Sequence, residues 1–162
     1  MNAGYAPPDA WLHEDGGRII GEACHIIDLF AYFTDARIAS ISSEKITPGS
    51  KAYLAQDNVS ITLKYEDGSV ANLIYTALGN SKYPKENLEL YCDNKVYKMT
   101  DYKKLEMFGD PALTKELKEA DKGHLQELIE LYNFLIGETK TYLIDIEAIN
   151  QTTKSTIITL YD

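Results

Sequence analysis

The strongest periodicity lies in the middle of the chain. In DNVSITLKY the apolar Val59, Ile61, Leu63 and Tyr65 share one face of an extended segment, while Ser60, Thr62 and Lys64 take the other. The Asp67-Gly68 pair marks a tight turn, so SVANLIYTAL returns as the partner strand. ENLELYC and KVYKM repeat the pattern around Asp93-Asn94, and KKLEMF adds a further short strand. Upstream, ARIASISSEKI alternates from Ile38 through Ile41, which predicts another strand. Successive hairpins of this kind make an antiparallel meander, one face covered and one partly free.

A different period flanks the strands. The run from about Ile20 to Thr34 reads as a helix ended by Asp35 and Arg37. In GHLQELIELYNFLIG, Leu125, Leu128, Ile129, Tyr132, Leu135 and Ile136 form an apolar stripe, with Gly137 in the place of a C-terminal cap. A last helix is predicted over Ile146–Leu160, N-capped by Asp145, with Ile149, Thr153, Ile157 and Leu160 turned inward. The first fifteen residues, with Pro7-Pro8, have no period and read as an extended arm followed by a loop. Strands that pair with one another and helices segregated from them define an α+β fold. No repeat, low-complexity segment or linker interrupts it, so 162 residues are read as one domain.

Composition narrows the function classes. A formal charge of −9, spread along the chain, excludes a basic nucleic-acid footprint. No run of about 18 apolar residues offers a membrane span, and MNAGYAPPDAW lacks the basic start and apolar stretch of a signal peptide. Cys24 and Cys92 have no metal-site spacing and read as reduced thiols. The expectation is a cytoplasmic protein.

The chemistry concentrates in GGRIIGEACHIIDLF, Gly16–Phe30. Glycines at 16, 17 and 21 do not match the G-x-G-x-x-G spacing, and a polar, proline-containing loop precedes them instead of an apolar strand. No Gly-Lys-Ser/Thr follows, so a P-loop is excluded as well. On a helix, Glu22, His25, Asp28 and Tyr32 fall on one side and Ala23, Ile26, Ile27, Phe30 and Thr34 mostly on the other. Residues three apart are neighbours on a helix, which lets Glu22 and Asp28 approach His25. A carboxylate beside an imidazole favours its charged form and fixes the ring, as a general acid/base requires. Two other readings stand beside this one: an ordinary solvated helical face, and a metal site of Glu22, His25 and Asp28 completed by His13. His124, at a helix start, reads as a surface residue.

The segment GGRIIGEACHIIDLFAYFTD resembles the stretch that follows the Rossmann domain in the Gfo/Idh/MocA family of NAD(P)-dependent oxidoreductases, which carries glycines and then a helix bearing His-x-x-Asp. DNVSITLKYEDGSVANLIYTALGNSKYPKENLELYCDNKVYKM resembles that family's sheet, and KGHLQELIELYNFLIG its late helix. The opening NAGYAPPDAW and the GEACHIID form resemble the branch found in bi-domain oxidoreductases. The resemblance covers essentially the whole chain.

It implies a C-terminal domain over 1–162 without its Rossmann domain: an open, mainly antiparallel sheet with helices on one face. NAD or NADP would then be bound by the missing domain and not by this chain. The resemblance assigns His25 as catalytic acid/base and matches Asp28 to the aspartate of His-x-x-Asp. Many members place an aspartate four residues before the histidine; here that position is Gly21, and Glu22 is its neighbour. Asn2, Tyr5, Arg18 and Lys82 are the substrate-contact candidates. The implied partners are a sugar-like or polyol substrate, the Rossmann domain, and further copies of the chain joined through the open sheet face. The alternatives are a non-catalytic dimerisation or sugar-binding module, and a metal-dependent hydrolase built on His13, Glu22, His25 and Asp28.

Overall fold

The computed structural model describes residues 1–14, 17–109, 113–140 and 146–161, without the side chains of 160 and 161. The chain forms two compact units, Met1–Asn80 with Ile144–Asp162, and Ser81–Leu143.

The first unit holds the core. Strands β1 (Ile38–Lys45), β2 (Asn58–Tyr65) and β3 (Val70–Thr76) form an antiparallel sheet in that order. The alternation in β2 is realised as expected: Val59, Ile61, Leu63 and Tyr65 are buried, and across the register Leu73 and Tyr75 of β3 join them. On the opposite face the Thr62 hydroxyl donates to Asn72 Oδ1 directly across the ladder, 2.9 Å. Asp67 Oδ1 accepts from the Ser69 amide to close the turn, where Gly68 takes a φ of 98°.

Helix α1 (Cys24–Thr34) buries Ile26 and Ile27 against this sheet; Ala23 and Ile19, in the π-helical turn Ile19–Ala23 before it, complete the core. Asp35, left-handed at φ 47°, stops the helix, its amide donating to the Ala31 carbonyl. The N-terminal arm lies parallel to β3, bridging at Asn2 and Thr76, with the Ala3 amide donating to the Thr76 carbonyl, 2.8 Å. A Cβ at position 79 would fall 1.8 Å from Asn2 Oδ1, so any larger residue there must displace the Asn2 side chain. The arm then closes in a 3-10 turn, Trp11–His13.

Helix α3 (Ile146–Tyr161) corrects one expectation. Ile149, Thr153 and Ile157 face outward; Thr152, Ser155, Thr156 and Thr159 are the buried residues. Asp145 and the Leu160 side chain lie outside the described residues. The reason is proximity. The helix packs on α1, the π turn and β1, and short hydroxyl side chains fit there without carrying an unmet hydrogen bond. Ser155, Thr156 and Thr159 each donate to the carbonyl four residues back, at 2.8, 2.7 and 2.9 Å. Apolar periodicity alone selects the wrong face of such a helix.

In the second unit β4 (Asn87–Cys92), β5 (Lys95–Thr100), β6 (Lys104–Phe108) and β7 (Leu113–Glu116) form an antiparallel meander. β7 is an addition to the sequence-based expectation, and its four residues are all exposed. Asp93 and Asn94, both at positive φ, make the predicted hairpin turn. Helix α2 (His124–Leu135) ends as predicted at Gly137, φ 79°, and its apolar stripe is exposed, as is His124.

The reversed face of α3 is directly measurable. Thr159→Leu, which puts bulk at a fully buried position, is expected to destabilise the protein by about 1–3 kcal/mol in urea unfolding. Ile157→Ser, at a position 41% exposed, is expected to cost less than about 1 kcal/mol. The reverse order would restore the apolar-inward assignment.

Candidate functional site

Polar groups converge where the N-terminal arm meets the start of α1. Gly17, at φ 68°, turns the chain into the helical run, and Arg18 follows, only 4% exposed. Each of its three nitrogens donates a hydrogen bond. Nη1 donates to the Gly4 carbonyl and Nη2 to the Ala3 carbonyl, both at 2.8 Å; Nε donates to Glu22 Oε1 at 3.2 Å. Nη1 also lies 3.9 Å from Asp57 Oδ2, and the group sits over the Tyr75 ring, 5.7 Å from its centroid.

Asp57 belongs to the 3-10 turn Ala55–Asp57 that leads into β2. Its neighbour Asn58 anchors that turn: Oδ1 accepts from the Thr76 hydroxyl and the Ala77 amide, and Nδ2 donates to the Leu54 carbonyl. On the other side of Asp57 stands His13, its Nδ1 3.5 Å from Oδ1 while its Nε2 bonds the Pro7 carbonyl. Burial pushes the Asp57 carboxyl above its ordinary range, His13 and Arg18 pull it back, and Glu22 adds to the rise. Burial, reinforced by the Glu22 charge, likewise holds the Tyr75 phenol protonated well above its usual range.

The π turn decides what Glu22 does. A π turn winds more residues per revolution than an α-helix, so the 100° wheel does not apply across Ile19–Ala23. Glu22 is half-buried and pairs with Arg18. His25, in the first turn of α1, is exposed, with its Nδ1 3.8 Å from Cys24 Sγ. Asp28, exposed on the next turn, accepts from the Thr152 hydroxyl at 3.3 Å. Of the catalytic candidates, then, Glu22 is tied to Arg18 and Asp28 to α3, while His25 faces outward.

The substrate-contact candidates separate similarly. Arg18 is spent on the arm. Asn2 donates through Nδ2 to the Asn80 carbonyl, 2.9 Å, and fixes the arm to the end of β3. Tyr5 is exposed and meets the Tyr53 ring edge to face, centroids 5.6 Å apart. Lys82 is exposed in the second unit. Sequence reasoning missed Asp57, Asn58, Tyr53 and Tyr75. Asp57-Asn58 carried a signal, two short polar residues directly before a fully alternating strand.

Among the described residues no group of three or more His, Cys, Asp or Glu could hold a metal ion; His13 of the hydrolase alternative faces Asp57. Before Gly17 the chain passes through the 3-10 turn Trp11–His13, and the π turn Ile19–Ala23 follows, unlike the strand-to-helix turn of a dinucleotide-binding loop. No described helix is long and apolar enough to cross a membrane.

A family model described as "GFO/IDH/MocA C-terminal domain" matches residues 2–98, and the chain belongs to this family. No curated protein matches it. Solved structures share the fold at low identity. UDP-N-acetylglucosamine 3-dehydrogenase GnnA from Acidithiobacillus ferrooxidans is 13% identical with a TM-score of 0.74, over 96% of this chain and 50% of that one. Aldose-aldose oxidoreductase from Caulobacter crescentus, complexed with glycerol, is 14% identical at 0.74, over 98% and 49%. Biliverdin reductase from Synechocystis sp. PCC 6803, in complex with biliverdin and NADP+, is 14% identical at 0.70, over 99% and 52%. The chain spans about half the length of each.

Two predictions follow from the Arg18 cluster. Arg18→Met removes the cation that faces Glu22 and Asp57 and frees the arm carbonyls, so it is expected to cost about 3 kcal/mol in urea unfolding. Arg18→Lys, with a single nitrogen in place of a fork, should recover only part of that. Asp57 has a pH signature. A carboxyl raised in the folded state is favoured there in its protonated form, so its contribution falls as pH rises above about 3.8 and levels once Asp57 has ionised in the folded protein. Asp57→Asn removes that contribution, so wild-type stability minus variant stability should decline across this window; a flat or rising difference refutes it.

Proposed function

We propose that this chain is the substrate-binding and catalytic-histidine half of an NAD(P)-dependent oxidoreductase acting on a sugar, polyol or related hydroxy compound, and that it is inactive by itself. The supporting observation is membership of the GFO/IDH/MocA C-terminal domain family over residues 2–98, with His25 exposed on α1 while its neighbours Ile26 and Ile27 are locked into the core. Two of the similar structures are enzymes whose names specify sugar substrates. Hydride transfer falls to NAD or NADP, held by a Rossmann domain outside these residues. This chain holds the hydroxy compound and moves its proton at His25. Asp28, one turn on and pinned by Thr152, orients the imidazole; Glu22 acts on it at one remove, through the ion pair with Arg18. Tyr5 touches substrate, and Asn2 and Arg18 hold the arm that carries it. Further copies of the chain assemble through the open sheet face, where Val70 and Ile74 of β3 are exposed.

A second reading, a non-catalytic dimerisation or sugar-binding module, is favoured by the engagement of Glu22 with Arg18, which takes up the carboxylate nearest the missing family aspartate. One experiment decides between them. In the chain joined to its Rossmann domain, His25→Ala is expected to lower kcat by about 10²–10⁴-fold; unchanged turnover rejects His25 as the catalyst. NADH titrated into the 162-residue chain should show no micromolar binding, and such binding would overturn the division of labour.

A further inference from the structure

The two halves of the N-terminal arm are held by different means. Asn2 and Ala3 are fixed along β3, and the Gly4 carbonyl accepts from Arg18. From Tyr5 to His13 the backbone bonds are local, the Ala10 amide donating to the Pro7 carbonyl and the His13 amide to the Ala10 carbonyl. Among the described residues, the polar and ring contacts of this segment with the rest of the unit are the meeting of Tyr5 with Tyr53 and the approach of His13 to Asp57.

His13 and Asp57 face each other out of water, their side chains 9% and 2% exposed. His13 Nε2 lies 3.1 Å from the Pro7 carbonyl oxygen, which only accepts, so Nε2 must carry a hydrogen. In a neutral ring Nδ1 is then a bare lone pair, 3.5 Å from Asp57 Oδ1. Neither atom has another hydrogen-bond partner among the described residues, and 3.5 Å leaves no room for a bridging water. The other tautomer fails in the same way, because it turns its lone pair toward Pro7. Two buried acceptors aimed at one another are costly, and one further proton, on the ring or on the carboxyl, removes the conflict.

The neighbouring charges leave this to the pair itself. Arg18 Nη1 stands 3.9 Å from Asp57 Oδ2, on the other carboxyl oxygen, and Glu22 is paired with Arg18, whose guanidinium sits over the Tyr75 ring. Burial, the largest influence on the Asp57 carboxyl, favours keeping a proton there.

We propose that His13 and Asp57 share one proton and act as a latch, holding the Tyr5–His13 segment on the turn before β2 while the proton is bound and releasing it when the proton is lost. In the open arm His13 is an ordinary imidazole, which gives up its proton near about pH 6.5, whereas the closed pair retains it. Closure is therefore fully favoured below about pH 6.5 and weakens above it by up to about tenfold per pH unit, until the closed pair also loses the proton. The segment carries Tyr5, so the order of that exposed ring becomes proton-dependent. The latch itself does not rest on the assignment of His25.

Trp11, the single tryptophan, lies in the same 3-10 turn as His13 and is exposed, so it reports on the segment. The test follows Trp11 fluorescence anisotropy and the NMR shifts of the His13 ring in the 162-residue chain between about pH 5 and about pH 9. Anisotropy is expected to fall as pH rises, in step with a shift of the His13 ring. Asp57→Asn should stay ordered throughout, because its amide donates to the bare Nδ1 without a titrating proton while its carbonyl faces Arg18. Asp57→Ala, with nothing to offer Nδ1, should be mobile at every pH, and His13→Gln should show no pH dependence. Melting temperatures check that the variants stay folded, and His13→Gln carries the comparison if Asp57→Asn does not. Anisotropy in the original chain that is flat across the range would overturn the latch. So would a pH-driven fall that persists unchanged in Asp57→Asn or His13→Gln.

Discussion

Everything around the candidate site depends on one buried guanidinium. A charge taken out of water is tolerated only when it is paired and hydrogen-bonded, and Arg18 finds its partners in four separate parts of the chain. It takes two carbonyls from the arm, a carboxylate from the π turn, another from the turn before β2, and the ring face of a β3 tyrosine. Arginine suits this place because its planar fork reaches several acceptors at once, which an ammonium does not. The residue is therefore a clasp. It brings arm, helix start and sheet end to one point, and it takes up Glu22 in an ion pair.

The surrounding charges are nearly self-contained. Glu22 and Asp57 flank Arg18, and His13 closes the far side of Asp57. Burial nevertheless outweighs the attraction at Asp57, whose carboxyl sits above its ordinary range. Tyr75, above the same cluster, is held protonated by that burial and by the acidic charges together. The interior beneath the arm is thus a polar junction set against an apolar core, with Ile19 and Ala23 of the π turn on the core side and Glu22 on the junction side.

How much of this was legible in the sequence depended on the kind of signal. The hairpins were, because Val59, Ile61, Leu63 and Tyr65 alternate strictly and Asp67-Gly68 and Asp93-Asn94 permit the turns. The core face of α1 was legible for a similar reason, a sound 3.6-residue period through Ile26, Ile27 and Phe30. The direction of Glu22 was not, since a π turn alters the angle between positions 22 and 25 and leaves no clear mark in side-chain type. The face of α3 was misread because hydroxyl groups bonded to their own helix behave as compact, nearly satisfied side chains, whereas a polarity count treats them as solvent-seeking. Asp57 was passed over because its role comes from contacts with His13 and Arg18, more than 35 residues away in sequence.

The hydroxyl stripe of α3 has a mechanical consequence. Ser155, Thr156 and Thr159 direct their hydrogen bonds along their own helix and not across to α1. Two cross-links from α3 sit together near residues 151 and 152, where Gln151 accepts from the Ile38 amide and Thr152 donates to Asp28. The short side chains bring the α3 backbone close to its neighbours, and these two cross-links tie it to β1 and to the carboxylate three residues after His25.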